Sequence, residues 1–214
     1  MIKVTFESAM KLKEILSQLV NTIHTVVLAT VDNQGHPYSA TMDRMLEEGH
    51  AIYFLTARGK SIYQRLKTNL YIALTGIKGE DTMSSISISL HGNVKPIGKE
   101  KLDKIFIKNP YTKMIYPNQQ AKEVLEVFKI EDYEGKYFDL SCQPIYRQSF
   151  ISTNNFIRKA YWINEKCVKC NQCVQVCPQG CIKQDDHYSI VQEYCLHCGK
   201  CFEFCKYQAI NKGE

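Results

Sequence analysis

Cysteine is the residue whose placement carries most of the chemistry in this 214-residue chain. Ten are present, and nine of them fall between Cys167 and Cys205. "CVKCNQCVQVCP" opens at Cys167 and "CLHCGKCFEFCK" at Cys195, each with the spacing C-x2-C-x2-C-x3-C. An offset of 28 carries Cys167, Cys170, Cys173 and Cys177 onto Cys195, Cys198, Cys201 and Cys205, and Ile182 onto Ile210. Three thiolates separated by two residues in a tight loop reach three irons of one 4Fe–4S cube, while the fourth, a helical turn later, points to the other cube. The spacing thus assigns Cys167, Cys170, Cys173 and Cys205 to one 4Fe–4S cluster and Cys195, Cys198, Cys201 and Cys177 to a second. Zinc sites use paired C-x2-C knuckles with four ligands per ion, which leaves the third cysteine of each run without a purpose. The opening "MIKVTFESAMKLKEILSQLV" has no apolar core of signal-peptide type, so clustered thiols fit metal ligation in a reducing cytosol better than disulfides.

Two cysteines stand outside the pattern. Cys181 has Ala209 as its counterpart under the offset and reads as a small buried residue, with a redox-active or spare ligand as the alternative. Cys142 reads as a core residue in a strand. His197 sits between ligands, a candidate to tune a cluster by charge or hydrogen bonding, against plain solvent exposure. Over residues 160–212 the tail resembles the two-cluster bacterial-type ferredoxins; Pro178 stands where that family has proline, and Lys206 replaces the second one. A tail of roughly fifty residues buries too little apolar surface to be comfortably stable alone. Ligand bonds to the clusters must therefore supply part of its stability.

The remainder must position something for those electrons to reach. Residues 7–21 place Met10, Ile15, Leu16, Leu19 and Val20 on one helical face. "TIHTVVLATVD" reads as a strand that breaks at the Asn33–Gly35–Pro37 turn, followed by strands in "YSATMDRML" and "AIYFLT". "GKSIYQRLKTN" reads as a short helix on Ile62 and Leu66, and "LYIALTGI" returns to strand. "SISISLHGNV" alternates cleanly, with Ile86, Ile88, Leu90 and Val94 on one side and Gly92 marking a bulge or close approach. Helices are expected near 99–108 and 119–128, and strands in "GKYFDLSCQ" and "PIYRQSF". Strands joined by turns without a βαβ rhythm give a mainly β fold with a small α+β appendage, an antiparallel barrel followed by a ferredoxin-like two-cluster domain. A composition change near 152–165 divides the chain into domains 1–155 and 156–214.

The stretch "ATVDNQGHPYSATMDRMLEEGHAIYFLTARGKSIYQRLKTNLYIAL" carries a D-x-x-G-x-P turn, a strand ending in Thr56, a basic helix start and L-x-x-N. In this order of parts, residues 1–150 resemble the FMN-binding split-barrel superfamily typified by pyridoxamine 5'-phosphate oxidase. The resemblance implies an FMN phosphate held by Arg44, Thr56, Lys60 and Ser61, with Arg58 and Leu55 as weaker candidates. A helix N-terminus near Gly59 agrees with it, since free N–H groups and the positive end of the helix dipole favour a phosphate, and Arg44 and Lys60 would add charge-assisted bonds. The plainer alternative makes Arg44 and Lys60 surface charges and Thr56 a cap. The resemblance also implies a homodimer with flavin at the interface. The Arg-x-His substrate segment of the vitamin oxidases is missing after "PIYRQSFI", so pyridoxamine-phosphate oxidation is not expected.

No Rossmann, P-loop or serine-hydrolase signature sits in a fitting context. His24, His36, His50 and His91 lack a sequence-visible acid or base partner; His91 beside Gly92 is the one placed to face a flavin. Tyr111 and Tyr116 either line a substrate mouth or pack a dimer. No catalytic residue is assigned. The charge, 20 Lys/Arg against 16 Asp/Glu in residues 1–158 and 7 against 6 beyond, forms no basic run for nucleic acid. No window approaches the roughly 18 apolar residues of a membrane span. The expectation is a cytoplasmic oxidoreductase of an anaerobe, taking electrons from a low-potential protein such as ferredoxin through two 4Fe–4S clusters to FMN and on to a small-molecule acceptor. The alternative is an electron-transfer or redox-sensing module with no substrate of its own, and heme competes with FMN for the barrel.

Overall fold

The computed structural model describes residues 10–43, 46–152, 154–155 and 160–213. The first element of the described residues is helix α1 (Leu12–Ser17), which runs straight into a π-helical turn, Gln18–Ile23. Leu12, Ile15, Leu16, Leu19, Val20 and Ile23 of this pair are all buried, as the apolar spacing requires. Strands β1 (Thr25–Val31) and β2 (Pro37–Asp43) form the first hairpin, with Val31 opposite Pro37. Its turn is held by Asp32, whose Oδ1 accepts from the N–H groups of Gln34 and His36, both at 2.9 Å. β3 (Leu46–Glu48) and β4 (Ala51–Ala57) follow, then α2 (Ser61–Thr68), β5 (Tyr71–Lys78) and β6 (Ile86–Pro96).

Helices α3 (Leu102–Lys108), α4 (Thr112–Ile115) and α5 (Gln119–Lys122) precede the long strand β7 (Leu125–Asp139). The helix expected over 119–128 is thus one turn long, and Leu125, Val127 and Phe128 are instead buried sheet residues opposite Ala57, Leu55 and Phe54. Pairing with the fully buried β4 overrides the local helical spacing. β8 (Tyr146–Ile151) and the two-residue β9 (Asn154–Asn155) complete the sheet.

All pairings are antiparallel, in the order β2-β1-β5-β6-β7-β4-β3, with β8 also on β7 and β9 on β8. β7 spans both arms of the curled half-barrel: Leu125–Ile130 pairs β4, and Glu134–Asp139 pairs β8. The register between β6 and β7 shifts at Gly92/Asn93. A Cβ on Gly92 would lie 2.6 Å from Tyr133 Cα, so the bulge and the close approach expected there occur together.

The C-terminal lobe is two short ribbons and two short helices: β10 (Tyr161–Ile163) pairs β13 (Ile210–Lys212), β11 (Ile182–Gln184) pairs β12 (Tyr188–Ile190), and α6 (Gln172–Val176) and α7 (Lys200–Phe204) lie beside each other. The offset of 28 holds at the backbone too. It carries α6 onto α7 and β11 onto β13, and Lys169, Asn171 and Gly180, all at positive φ, onto His197, Gly199 and Gln208, also at positive φ. One apolar cluster runs from Leu12 and Phe150 of the barrel to Tyr194, Cys195 and Ile210 of the lobe. No helix among the described residues is long and apolar enough to cross a membrane.

Candidate functional site

A cleft of about 240 Å³ opens where β2, the end of β4, the start of α2 and the α4 region meet. Strand β4 is buried at every position from Ala51 to Thr56 and delivers Leu55 and Thr56 to this cleft. The chain then turns, with Lys60 N–H donating to Ala57 O at 3.0 Å, and α2 begins without a capping side chain. Tyr63 N–H bonds back to Lys60 O at 3.0 Å, which leaves the N–H groups of Ser61 and Ile62 at the helix start, a place that favours an anion.

Thr56 is only 2% exposed, and its Oγ1 has no hydrogen-bond partner among the described residues. A buried hydroxyl left unsatisfied costs about 1–3 kcal/mol, so a ligand atom that accepts from it gains what the protein forgoes. Lys60 lines the same cleft. The donor set of hydroxyl, ammonium and open helix end fits the phosphate of FMN. Arg58 and Ser61 sit exposed on the same turn and are not among the lining residues. Arg44 lies outside the described residues.

Asp43, which lines the same cleft, accepts two hydrogen bonds and stands beside a histidine. Thr25 Oγ1 and Tyr111 Oη each donate to it at 2.8 Å, and His24 Nε2 stands 3.6 Å away. His24 and Tyr111 meet edge to face with centroids 6.0 Å apart. Burial and then the bond to Asp43 raise the Tyr111 pKa far above that of a free phenol. Tyr111, Tyr116 and Thr112 wall the cleft, so the tyrosines singled out in the sequence do share one site. Asp43 was invisible to sequence reasoning, its partners lying 18 and 68 residues away with no motif between them.

His36 pairs Asp32 at 3.3 Å on the surface turn, and His50 lies in a turn. His91 belongs to a different hollow, lined also by Thr75, Ser89 and Glu134. There its Nδ1 meets Tyr71 Oη at 2.5 Å and its Nε2 meets Glu134 at 3.1 Å.

The cysteines gather around two cavities in the lobe. One is lined by Cys167, Cys170, Cys173 and Cys205, with Ile163, Tyr188 and Ile210. The other is lined by Cys177, Cys195, Cys198 and Cys201, with Cys181 as a fifth. The sulfurs ring a volume instead of closing on a point: among the described residues, no three His, Cys, Asp or Glu side chains converge on a single-ion position. Cys173, Cys181, Cys195 and Cys201 are buried, whereas Cys170 and Cys198 are exposed. Cys142 corrects the sequence reading; it is exposed, in the loop after β7, because that strand ends at Asp139. His197 is partly buried, and burial followed by the nearby Arg147 and Lys136 charges depresses its pKa to about 4.

The five-cysteine cavity is the one nearer the barrel. Cys195 feels the charge of Arg147 on β8, Tyr194 packs edge to face on Tyr146 at 5.9 Å, and Ile145 N–H donates to Gln179 Oε1 at 2.8 Å.

Residues 12–136 match the family model described as pyridoxamine 5'-phosphate oxidase. The chain belongs to that family. Residues 166–209 match the model of a 4Fe-4S dicluster domain, appended to the oxidase-family fold. Among solved structures, a NimC/NimA family protein from Clostridium acetobutylicum superposes with a TM-score of 0.54 at 17% identity, covering 65% of this chain and 91% of that one. A heme binding protein from Mycobacterium smegmatis gives 0.53 at 12% identity, over 70% of this chain and 60% of that one. At these identities the likeness is one of fold. No curated protein matches the chain in sequence. The family's FMN-binding fold joined to a 4Fe–4S dicluster domain suggests redox chemistry with electron transfer.

Proposed function

We propose that the chain is a flavin- and iron–sulfur-dependent oxidoreductase, passing electrons from a low-potential donor such as a ferredoxin through two 4Fe–4S clusters to FMN in the barrel. The observation that carries this reading is the packing of the thiol-lined Cys195 cavity against β8, which supports an electron path from the lobe into the barrel domain. In this scheme Cys167, Cys170, Cys173 and Cys205 hold the outer cluster, and Cys177, Cys195, Cys198 and Cys201 hold the barrel-side one. Thr56 donates to the FMN phosphate, Lys60 and Arg44 neutralise it, and Ser61 adds a donor at the helix end, with Arg58 and Leu55 at the margin. FMN, when bound, supplies the exchange between one-electron and two-electron chemistry. Tyr111 and Tyr116 wall the mouth through which an organic acceptor reaches the barrel.

A second copy of the chain covers the outer face of β1 and β5. Val27 lies opposite Thr75 on that face, and Val27, Tyr71 and Ile77 are 48%, 49% and 65% exposed. Such apolar exposure on one sheet face favours burial against a partner surface.

Anaerobic purification followed by flavin extraction and iron analysis tests the reading. The expected result is one FMN and about eight irons per chain, from two cubane clusters. A Soret band in place of flavin absorption, or zinc in place of iron, overturns it. Turnover of an acceptor panel with reduced ferredoxin separates an enzyme from a pure carrier.

A further inference from the structure

The two halves of the lobe share ligand spacing and backbone course at an offset of 28, which makes a side-chain difference beside the ligands informative. In the outer half, Ala209 N–H donates to Cys205 Sγ at 3.2 Å. In the barrel-side half, the equivalent Cys181 N–H donates to Cys177 Sγ, so the same backbone bond is made twice. Only the barrel-side half adds a side chain to it. Cys181 Sγ lies 3.5 Å from Cys177 Sγ and also hydrogen-bonds Cys195. This thiol is 3% exposed, and both of its neighbours belong to the ligand set of one cavity. Where Cys181 puts a thiol, the outer cavity has only the Ala209 methyl.

We propose that Cys181 is a positioning residue whose S–H donates to a ligand sulfur and holds the barrel-side cluster at a higher potential than the outer one. This rests on reading the two cavities as 4Fe–4S sites. Reduction adds one electron to a cluster and spreads the negative charge over its sulfurs. A donor aimed at a ligand sulfur stabilises the reduced form more than the oxidised one. The transfer balances simply: the outer cluster, reduced by a ferredoxin-class donor, loses one electron and the barrel-side cluster gains it. No bond forms or breaks at Cys181, and its proton stays on its sulfur. Electrons therefore run downhill toward β8, and the direction follows from a position where one half carries cysteine and the other alanine.

The test is an EPR-monitored redox titration with iron analysis on the full chain, prepared anaerobically as wild type, Cys181→Ala, Cys181→Ser and Ala209→Cys. Wild type should show two one-electron steps. Cys181→Ala should lower the upper step, leave the lower one in place and keep all irons; Cys181→Ser, which retains a donor, should keep the wild-type separation. Ala209→Cys should raise the lower step, and it decides the matter if Cys181→Ala does not fold. Steps that do not move, or that move together, overturn the inference. So does loss of half the iron in Cys181→Ala, which would make Cys181 a ligand. A wild-type chain without two iron–sulfur steps overturns the cluster reading itself, an outcome distinct from an unresponsive pair of steps.

Discussion

Tyr111 Oη donates to Asp43 Oδ2 at 2.8 Å, joining residues 68 apart in sequence across the mouth of the Thr56 cleft. The bond ties the α4 region to β2, and the same carboxylate holds Thr25 of β1. Hydrogen bonds to a charged group contribute about 1.5–3 kcal/mol. Tyr111→Phe should therefore lower stability by about 1.5 kcal/mol and loosen the cleft wall. Denaturant titration reads the first effect, and faster flavin loss on dilution reads the second. Unchanged values for both would show that the α4 region is held by apolar packing alone.

Two buried tyrosines and the half-buried Tyr111 set the alkaline limit of the fold. Burial raises the pKa of Tyr111, Tyr133 and Tyr137, with Asp43, Glu47 and Asp139 adding to the shift in turn. The folded pKa of each lies above its unfolded value, near 10. Above about pH 10 the unfolded chain has released phenolic protons that the folded chain keeps, so unfolding binds fewer protons and stability falls as pH rises. Below about pH 9 these groups contribute no slope. Thermal melts across this range should show a plateau and then a decline, with tyrosinate absorbance appearing only as the protein unfolds. Tyrosinate absorbance that rises in the still-folded protein would contradict the burial of these phenols.

Thr56→Val distinguishes a ligand-binding hydroxyl from a merely tolerated one. In the flavin-free chain the substitution removes an unsatisfied buried group at nearly constant volume, and should stabilise by about 1 kcal/mol. In the presence of FMN it should weaken binding about tenfold, the equivalent of about 1.4 kcal/mol. Opposite signs are the diagnostic. Destabilisation of the flavin-free chain would mean that Thr56 Oγ1 is bonded within the protein after all.

Gly92 tests the bulge that bends β6. A Cβ there meets Tyr133 Cα at 2.6 Å and Asp132 O at 2.9 Å, both backbone atoms that cannot swing aside. Gly92→Ala should cost about 1–3 kcal/mol through this overpacking. Gly35, with nothing within 4 Å of an added Cβ, lacks the clash, although its positive φ of 84° adds strain of another kind. Chemical denaturation of Gly92→Ala against wild type provides the measurement.

What the sequence exposed and what it hid follow from the range of the interactions involved. The alternation of Ile86, Ile88, Leu90 and Val94 is a local consequence of one buried sheet face, and all but the half-buried Ile86 are buried. The turn at Asp32–Pro37 is likewise closed by side-chain bonds two and four residues long. The cysteine runs are legible because cluster geometry demands short, repeated spacings. By contrast, residues 125–128 fall in a helical spacing and become sheet because β4 lies alongside, a partner some 70 residues upstream that no local window contains. Asp43 escaped notice for the same reason. Its role depends on Tyr111, 68 residues on, meeting the consecutive His24 and Thr25 at the start of β1.

Cluster removal should divide the molecule unevenly. In the lobe, β10–β13 and β11–β12 are three-residue ribbons, and the helices between them are five residues long. Elements this short do not hold themselves, so ligand bonds must stabilise them. The barrel has its own buried centre in Phe54, Phe128, Ile88 and Leu90, and a nine-stranded sheet that needs no metal. Chelation under argon should therefore raise amide exchange across residues 166–212 while β4, β6 and the first half of β7 stay protected. The Tyr146–Tyr194 contact makes β8 the element of intermediate response, since half of that aromatic pair belongs to the lobe. Hydrogen exchange read by mass spectrometry gives all three regions in one experiment. Uniform loss of protection, barrel included, would mean that the shared apolar cluster makes lobe and barrel one cooperative unit.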